Sequence, residues 1–132
     1  MVDRSATLID LFAGCGGLSL GLHDSGFQTV LANELYEDPA KTYSHNLLRD
    51  RPEAMRVGPI NKQLSAARLE RWIDENGSDV GCIAGGPPCQ GFSSIRPFRN
   101  LTEKDSRNSL PEYYLLAIAK LKPEWVVFEN VI

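Results

Sequence analysis

Cysteine is scarce in this chain, which has only Cys15, Cys82 and Cys89, an odd number at wide spacing. A disulfide framework needs pairs and a metal knuckle needs close-set pairs, so neither fits. Histidine is scarcer still, with only His23 and His45, so the chain offers no convincing zinc ligand set and no metal is expected. Free thiols suit a reducing compartment. Long apolar runs are also missing. Nothing approaches the length of a membrane span, and the N-terminus shows no basic, apolar and cleavage-site series. The expectation is a cytoplasmic chain with no membrane partner. Positive charge is the third shortage. Fourteen Lys and Arg against 17 Asp and Glu give a net charge of −3. A chain that gripped nucleic acid unaided would usually be basic.

What is present is ordinary globular material. The 132 residues are 42% hydrophobic and 23% charged, enough for one domain with a modest core. "TLIDLF" (7–12) reads as a buried strand that feeds the glycine turn "AGCGG". "GLSLGLHD" (17–24) follows as a helix with Leu18, Leu22 and Leu20 toward a sheet. "FQTVLANE" (27–34) is a second strand. Asp38-Pro39 is the expected cap and first residue of a helix carrying Ala40, Tyr43 and Leu47. "MRVGPI" (55–60) is a weak third strand. Ser65 caps a helix with an apolar stripe of Leu69, Trp72 and Ile73, stopped at Asn76-Gly77. "VGCIAGG" (80–86), a helix over about 110–121, and "EWVVFENVI" (124–132) complete the pattern. Alternating strands and helices predict a parallel sheet of about five strands with helices on both faces.

In such sheets ligands sit beyond the carboxyl ends of the strands, where the strand order reverses. Gly14, Gly16 and Gly17 are placed there, in a turn that a ligand can approach without meeting a Cβ. Glu34 closes the second strand 20 residues after Gly14, at a spacing that suits hydrogen bonds to two ribose hydroxyls. The pattern is not GxGxxG, because Ser19 stands where a third glycine should be. That favours a nucleoside cofactor without a pyrophosphate; a turn used only for packing is the alternative. "GGPPCQGFS" (85–93) sets Cys89 on a corner fixed by two prolines, at the same edge of the sheet. A nucleophile held rigidly before a polar loop fits that arrangement, and a small buried cysteine is the plain alternative. Glu129 ends the fifth strand in "FEN". Partial burial there would raise its pKa and let it donate a proton; capping of the next turn is its plainer role.

"DLFAGCGGLSLGL", "GGPPCQGFS", "DSRNSL" and "FENV", in this order, resemble the DNA cytosine-5 methyltransferases. The resemblance covers essentially the whole chain, but only the front part of that family's catalytic domain. It implies a Rossmann-like S-adenosylmethionine-dependent methyltransferase fold, incomplete here. The implied cofactor is S-adenosyl-L-methionine, with Phe12, Gly14, Gly16 and Gly17 at its turn and Glu34 at its ribose. Leu35 and Ile60 would border the adenine, with Pro87 and Leu110 in the pocket wall. Cys89 would attack C6 of a cytosine flipped out of duplex DNA. Glu129 would bond the ring's N3 edge and Asn130 would support the site. Gln90, Ser93, Arg96, Arg99 and Arg107 would belong to a DNA-contacting loop, in which Lys104 adds charge and Glu103 and Asp105 interrupt it.

Two positions depart from the family pattern. Pro59 stands where an acid usually meets the adenine amino group, with Asn61 as a substitute. Leu35 stands where an aromatic is common, one place before Tyr36. Residues 1–132 are therefore expected to form part of a catalytic domain whose target-recognition region and later motifs lie elsewhere, in a complementing C-terminal segment or a second chain. The chain alone is expected to be inactive, and, if bacterial, nucleoid-associated. The restriction-modification and gene-regulation settings both stay open. A non-catalytic remnant that binds S-adenosylmethionine or a partner is the competing reading; a nicotinamide oxidoreductase is disfavoured by the missing glycine.

Overall fold

The computed structural model describes residues 3–88 and 110–130. A sheet covered on both faces organises it. The central strand β1 (Thr7–Leu11) is buried along its whole length. It pairs in parallel with β2 (Gln28–Glu34) on one side and β4 (Cys82–Gly85) on the other. β3 (Met55–Val57) adds beyond β2, and β5 (Trp125–Phe128) beyond β4, giving the parallel order β3-β2-β1-β4-β5. The chain winds outward from β1 in one direction and then returns to wind the other way. The reversal therefore falls between β1 and β4, where an open α/β sheet leaves a crevice.

Alternate residues of β1 serve opposite faces. Ile9 and Leu11 join Leu31 and Ile83 in one core. Over it lie the short α3 (Ile60–Gln63), α4 (Ala66–Asn76) and α5 (Leu110–Leu121), which contribute Ile60, Leu69, Tyr114, Ala117 and Leu121. Leu8 faces the other way with Cys82 and Ala84, toward α1 (Gly17–Asp24) and its Leu22. Ala32 packs beside it against Tyr43 of α2 (Glu37–Leu47). The β1–β2 register shifts between Leu8 and Ile9, so Val30 has no partner on β1. The shift keeps both Thr29 and Ala32 on the Tyr43 side, which strict alternation from Ala32 would forbid.

Local chemistry explains where the elements depart from the sequence pattern. In α1, Leu18 is 37% and Leu20 54% exposed, so these leucines do not face the sheet. The buried position is Ser19, whose hydroxyl bonds Asp10 of β1 and turns that side of the helix inward. α2 starts at Glu37, before the Asp38-Pro39 expected to open it, and Tyr36 at the N-cap gives no side-chain bond. Pro39 is accommodated in the first turn, where an N–H would lack a helical partner, and Glu37 and Asp38 favour the positive end of the dipole. β3 is shorter than the apolar pattern: Gly58 at φ 126° and Pro59 turn the chain into α3. Ser65 does cap α4, accepting from the Arg68 N–H at 3.4 Å, and Gly77 ends that helix.

Two contacts pin this frame. The buried Gly16 turns at φ 97°, and a Cβ there would come within 2.8 Å of Leu47 and 2.9 Å of the Tyr43 ring. At the outer edge, the Tyr114 hydroxyl of α5 donates toward the carbonyls of Val127 (2.8 Å) and Ile83 (3.2 Å), tying β5 to β4. Its ring meets Phe128 edge-on at 5.2 Å. Gly16→Ala should therefore cost about 1–3 kcal/mol from backbone strain alone, read as a lower urea midpoint with an unchanged slope. Tyr114→Phe keeps the ring contact and loses the hydroxyl, and should cost about 1 kcal/mol in the same assay. Unchanged stability in either variant would remove the corresponding contact from the account.

Candidate functional site

The ends of β1 and β2 are locked together by one carboxylate. After Leu11 the backbone enters the left-handed region at Phe12 (φ 58°), and the Ala13 N–H donates to the Asn33 carbonyl at 3.0 Å. The Gly14 N–H then donates to Glu34 Oε2 at 2.8 Å, and the Tyr36 N–H donates to Glu34 Oε1 at 3.0 Å. Glu34 is only 8% exposed. A carboxylate oxygen has two lone pairs, so each keeps one acceptor site after these bonds. The neighbouring Asn33 donates from its amide to the carbonyls of Arg56 (2.7 Å) and Gly58 (3.1 Å). Those two bonds fold the Gly58–Ile60 segment back over the strand ends.

The result is an open cleft of about 520 Å³ at the carboxyl edge of the sheet. Phe12, Asn33, Glu34, Leu35 and Tyr36 form one side and Gly58, Pro59, Ile60 and Asn61 another, while Gly86, Pro88, Leu110 and Tyr113 close the third. Apolar walls around a few polar groups, at this volume, are the usual make-up of a small-molecule site. Of the residues singled out from the sequence, Phe12, Glu34, Leu35, Ile60 and Leu110 line this cleft together. Pro87 does not: it is buried, and its neighbours Gly86 and Pro88 face the cleft in its place. The glycines of the turn lie outside the lining as well. Gly16 serves the packing against α2, whereas around Gly14 and Gly17 the space a side chain would take is open.

Glu129 stands just past β5, its N–H donating to the Gly85 carbonyl at 3.0 Å. Its carboxylate lies over Gly86, where a Cβ would come within 2.6 Å of Oε2. Among the described residues β5 is the last strand of the sheet and the Glu129 side chain is exposed, so the partial burial expected there is not seen in this part of the chain. Asn130 follows it and is also exposed. Cys89, Gln90, Ser93, Arg96, Arg99 and Arg107 lie outside the described residues. Pro88, which immediately precedes Cys89, belongs to the cleft lining. Cys82 is buried in β4, and burial pushes its thiol up, away from reactivity. Cys15 is exposed within the glycine turn.

Behind the turn sits a group that the sequence reading passed over. Asp10 is 1% exposed and bonds the Ser19 hydroxyl. Burial pushes its carboxyl up to about 6, against hydrogen bonds from Ser19 and Tyr43 that pull it down, with the Glu34 charge adding to the rise. Asn33 and Tyr113 were missed in the cleft itself. Tyr113 falls at i+3 from Leu110, a helical spacing that marks one face, and Asn33 is visible only through its bonds to β3. Among the described residues no group of three His, Cys, Asp or Glu could hold a metal ion, and no helix is long and apolar enough to cross a membrane.

Comparison with known proteins agrees with this architecture. Residues 6–132 match the family model described as C-5 cytosine-specific DNA methylase. The chain is 40% identical over 123 residues to the type II methyltransferase M.XorII of Xanthomonas oryzae, covering 93% of this chain and 27% of that protein. It is 39% identical over 130 residues to M.AplI of Arthrospira platensis, covering 98% and 32%. The crystal structure of a protein described as a DNA modification methyltransferase encoded within an E. coli prophage superposes with a TM-score of 0.71 at 34% identity, over 95% of this chain and 32% of that one. The S. pombe Dnmt2 methyltransferase, at 16% identity and a TM-score of 0.56, shares the fold. The chain thus spans roughly a third or less of the length of these relatives. Methyltransferases of this kind use S-adenosylmethionine. On the match of nearly its whole length, the chain belongs to the C-5 cytosine-specific DNA methylase family.

Proposed function

We propose that the cleft beyond β1 and β2 holds S-adenosylmethionine and that the chain is the cofactor- and nucleophile-bearing part of an enzyme methylating C5 of cytosine in duplex DNA. The observation that carries this reading is Glu34. Its carboxylate is buried at the cleft, fixed by the Gly14 and Tyr36 amides, and each oxygen retains a lone pair for a hydroxyl donor. The apolar faces of Phe12, Leu35, Ile60 and Leu110 suit an adenine ring and a carbon chain. The residues present therefore fit the cofactor, which supplies an electrophilic methyl group when bound. Pro59 offers no acceptor to an adenine amino group, and Asn61 beside it in the lining is the side chain able to do so.

The rest of the chemistry belongs to this chain's own side chains. The Cys89 thiolate adds to C6 of a cytosine turned out of the duplex, forming a C–S bond that raises electron density at C5. The Glu129 carboxyl, held over Gly86 at the edge of the same crevice, donates its proton to the N3 edge of the ring and so neutralises the negative charge that develops there. Asn130 supports the site. Loss of the C5 proton after methylation lets the C–S bond break and frees the thiolate. Gln90, Ser93, Arg96, Arg99 and Arg107 contact the DNA around the extruded base. With a net charge of −3, the chain draws its main grip on the duplex from elsewhere, from a C-terminal segment or second chain carrying the target-recognition region. Residues 1–132 are one part of that catalytic domain and are inactive alone.

Two experiments test the reading. Isothermal titration with S-adenosylhomocysteine should show binding, weakened about tenfold or more in Glu34→Gln, which replaces one of the two acceptor oxygens with a donor. No binding by the wild-type chain would sink the cofactor assignment. In the second, the chain is mixed with a complementing C-terminal part and a duplex containing 5-fluorocytosine. A covalent adduct at Cys89 should form and should vanish in Cys89→Ala; an adduct surviving that substitution would dismiss Cys89 as the nucleophile.

A further inference from the structure

Two glycines stand side by side where β4 runs into the cleft, and they are glycine for different reasons. Neither lies in the left-handed region, so backbone conformation alone demands glycine at neither position. At Gly85 a Cβ would collide with the Leu11 carbonyl of β1 and come within 3.0 Å of the Tyr114 ring. Leu11 and Gly85 are paired across the two strands, so the obstacle is the sheet itself and cannot step aside. At Gly86 the three atoms nearest a Cβ all belong to Glu129: Oε2 at 2.6 Å, the carbonyl oxygen at 3.4 Å and Cβ at 3.6 Å. The last two are ordinary contacts. Only the carboxylate is too close, and it is the free end of an exposed side chain.

A side chain at residue 86 would therefore leave the fold in place and turn the Glu129 carboxylate off its seat. Rotating an exposed side chain toward solvent exchanges one staggered arrangement for another at little cost. The Glu129 backbone would stay where it is, held by its N–H to the Gly85 carbonyl at 3.0 Å. Gly86 also lines the cleft, and having no side chain it does so with its backbone. One peptide thus separates the ligand cleft from the carboxylate. Cys89 follows three residues later, after Pro87 and Pro88, whose rings fix φ and limit the paths open to the chain.

We propose that Gly86 is a positioning residue for methyl transfer: its missing side chain is what admits the Glu129 carboxyl to the far side of the cleft wall. This rests on the reading above, in which the cleft holds S-adenosylmethionine and the Glu129 carboxyl donates to N3 of the cytosine. The ring held in that way has to offer C5 to the methyl group and C6 to the Cys89 thiolate. Acid, methyl donor and nucleophile must then close on one ring, and a displacement of about 1 Å in such an arrangement lowers rates on the order of a hundredfold. Gly85 has no share in this, since it serves only the approach of β4 to β1 and α5.

The test compares Gly86→Ala, Glu129→Ala and the double variant, each as the chain combined with a complementing C-terminal part, by kcat for methylation of duplex DNA. Urea midpoints and S-adenosylhomocysteine affinities are read on the same chains. Gly86→Ala should lower kcat about tenfold or more, with its urea midpoint kept and its affinity within about twofold of the wild type. Gly85→Ala should instead lose midpoint sharply, because its obstacle is backbone. The double variant should be no slower than Glu129→Ala, since the glycine acts through that carboxyl alone. A sharp fall in the Gly86→Ala midpoint, or a double variant slower than Glu129→Ala, would overturn the proposal. If Glu129→Ala is slow and Gly86→Ala is not, the proposal falls and the catalytic reading of Glu129 stands. If Glu129→Ala keeps its kcat, that catalytic reading fails and the proposal goes with it.

Discussion

The Glu34 carboxylate is the bond on which the functional edge of this fold depends. It sits where β2 ends, reaches across to the Gly14 amide after β1 and back to the Tyr36 amide before α2. Two strands, one glycine turn and one helix start are thereby referred to a single anion. An acceptor buried this far must be bonded, and the two amides satisfy it without exhausting it. The same carboxylate explains why α2 has no side-chain cap: the residue at its N-cap gives its own N–H to Glu34, leaving the chain direction to be set from the strand end.

Burial then divides the labour between the two faces of the sheet. The α4 and α5 face is apolar, built from Ile9, Leu11, Leu31 and Ile83 against Leu69, Ala117 and Leu121. The α1 and α2 face carries a polar line from Asp10 through Ser19, Tyr43 and Thr29 to His23 and owes its position to the register shift at Val30. Dispersion and solvent exclusion give the first face its stability, with little demand on exact direction. Directional bonds give the second face its geometry, and this is the face on which the glycine turn rests. An apolar replacement there would fill the space but leave the turn without a fixed seat.

Much of this was legible in the sequence, for reasons that differ by element. The parallel sheet of five strands, though not its strand order, followed from alternating apolar runs and helical stripes, and the position of Glu34 from its spacing after Gly14. Ser65 and Gly77 marked the limits of α4 because caps are local chemistry. The inward face of α1 was not legible: leucines outweigh a serine in any hydrophobic pattern, yet Ser19 is drawn in by a partner nine residues away on another element. The exposure of Glu129 was hidden for a related reason. The run "WVVFEN" looks interior, and among the described strands β5 has a neighbour on one side only. Gly16 was read as room for a ligand, and its neighbours show that it is room for Tyr43 and Leu47.

Phe12 shows what this edge costs. It is not a glycine, yet its backbone sits at φ 58°, a region that a bulky side chain enters only under constraint, at an expense of order 1 kcal/mol. The constraint comes from both sides, through β1 behind it and the Ala13 and Gly14 amides tied to β2 ahead. Its effect is to swing an aromatic ring into the cleft at the point where the strand stops. A relaxed residue at this position would relieve the strain but would not carry a ring into the cleft. Under the cofactor reading proposed above, thermal endurance and ligand grip would pull against each other at residue 12.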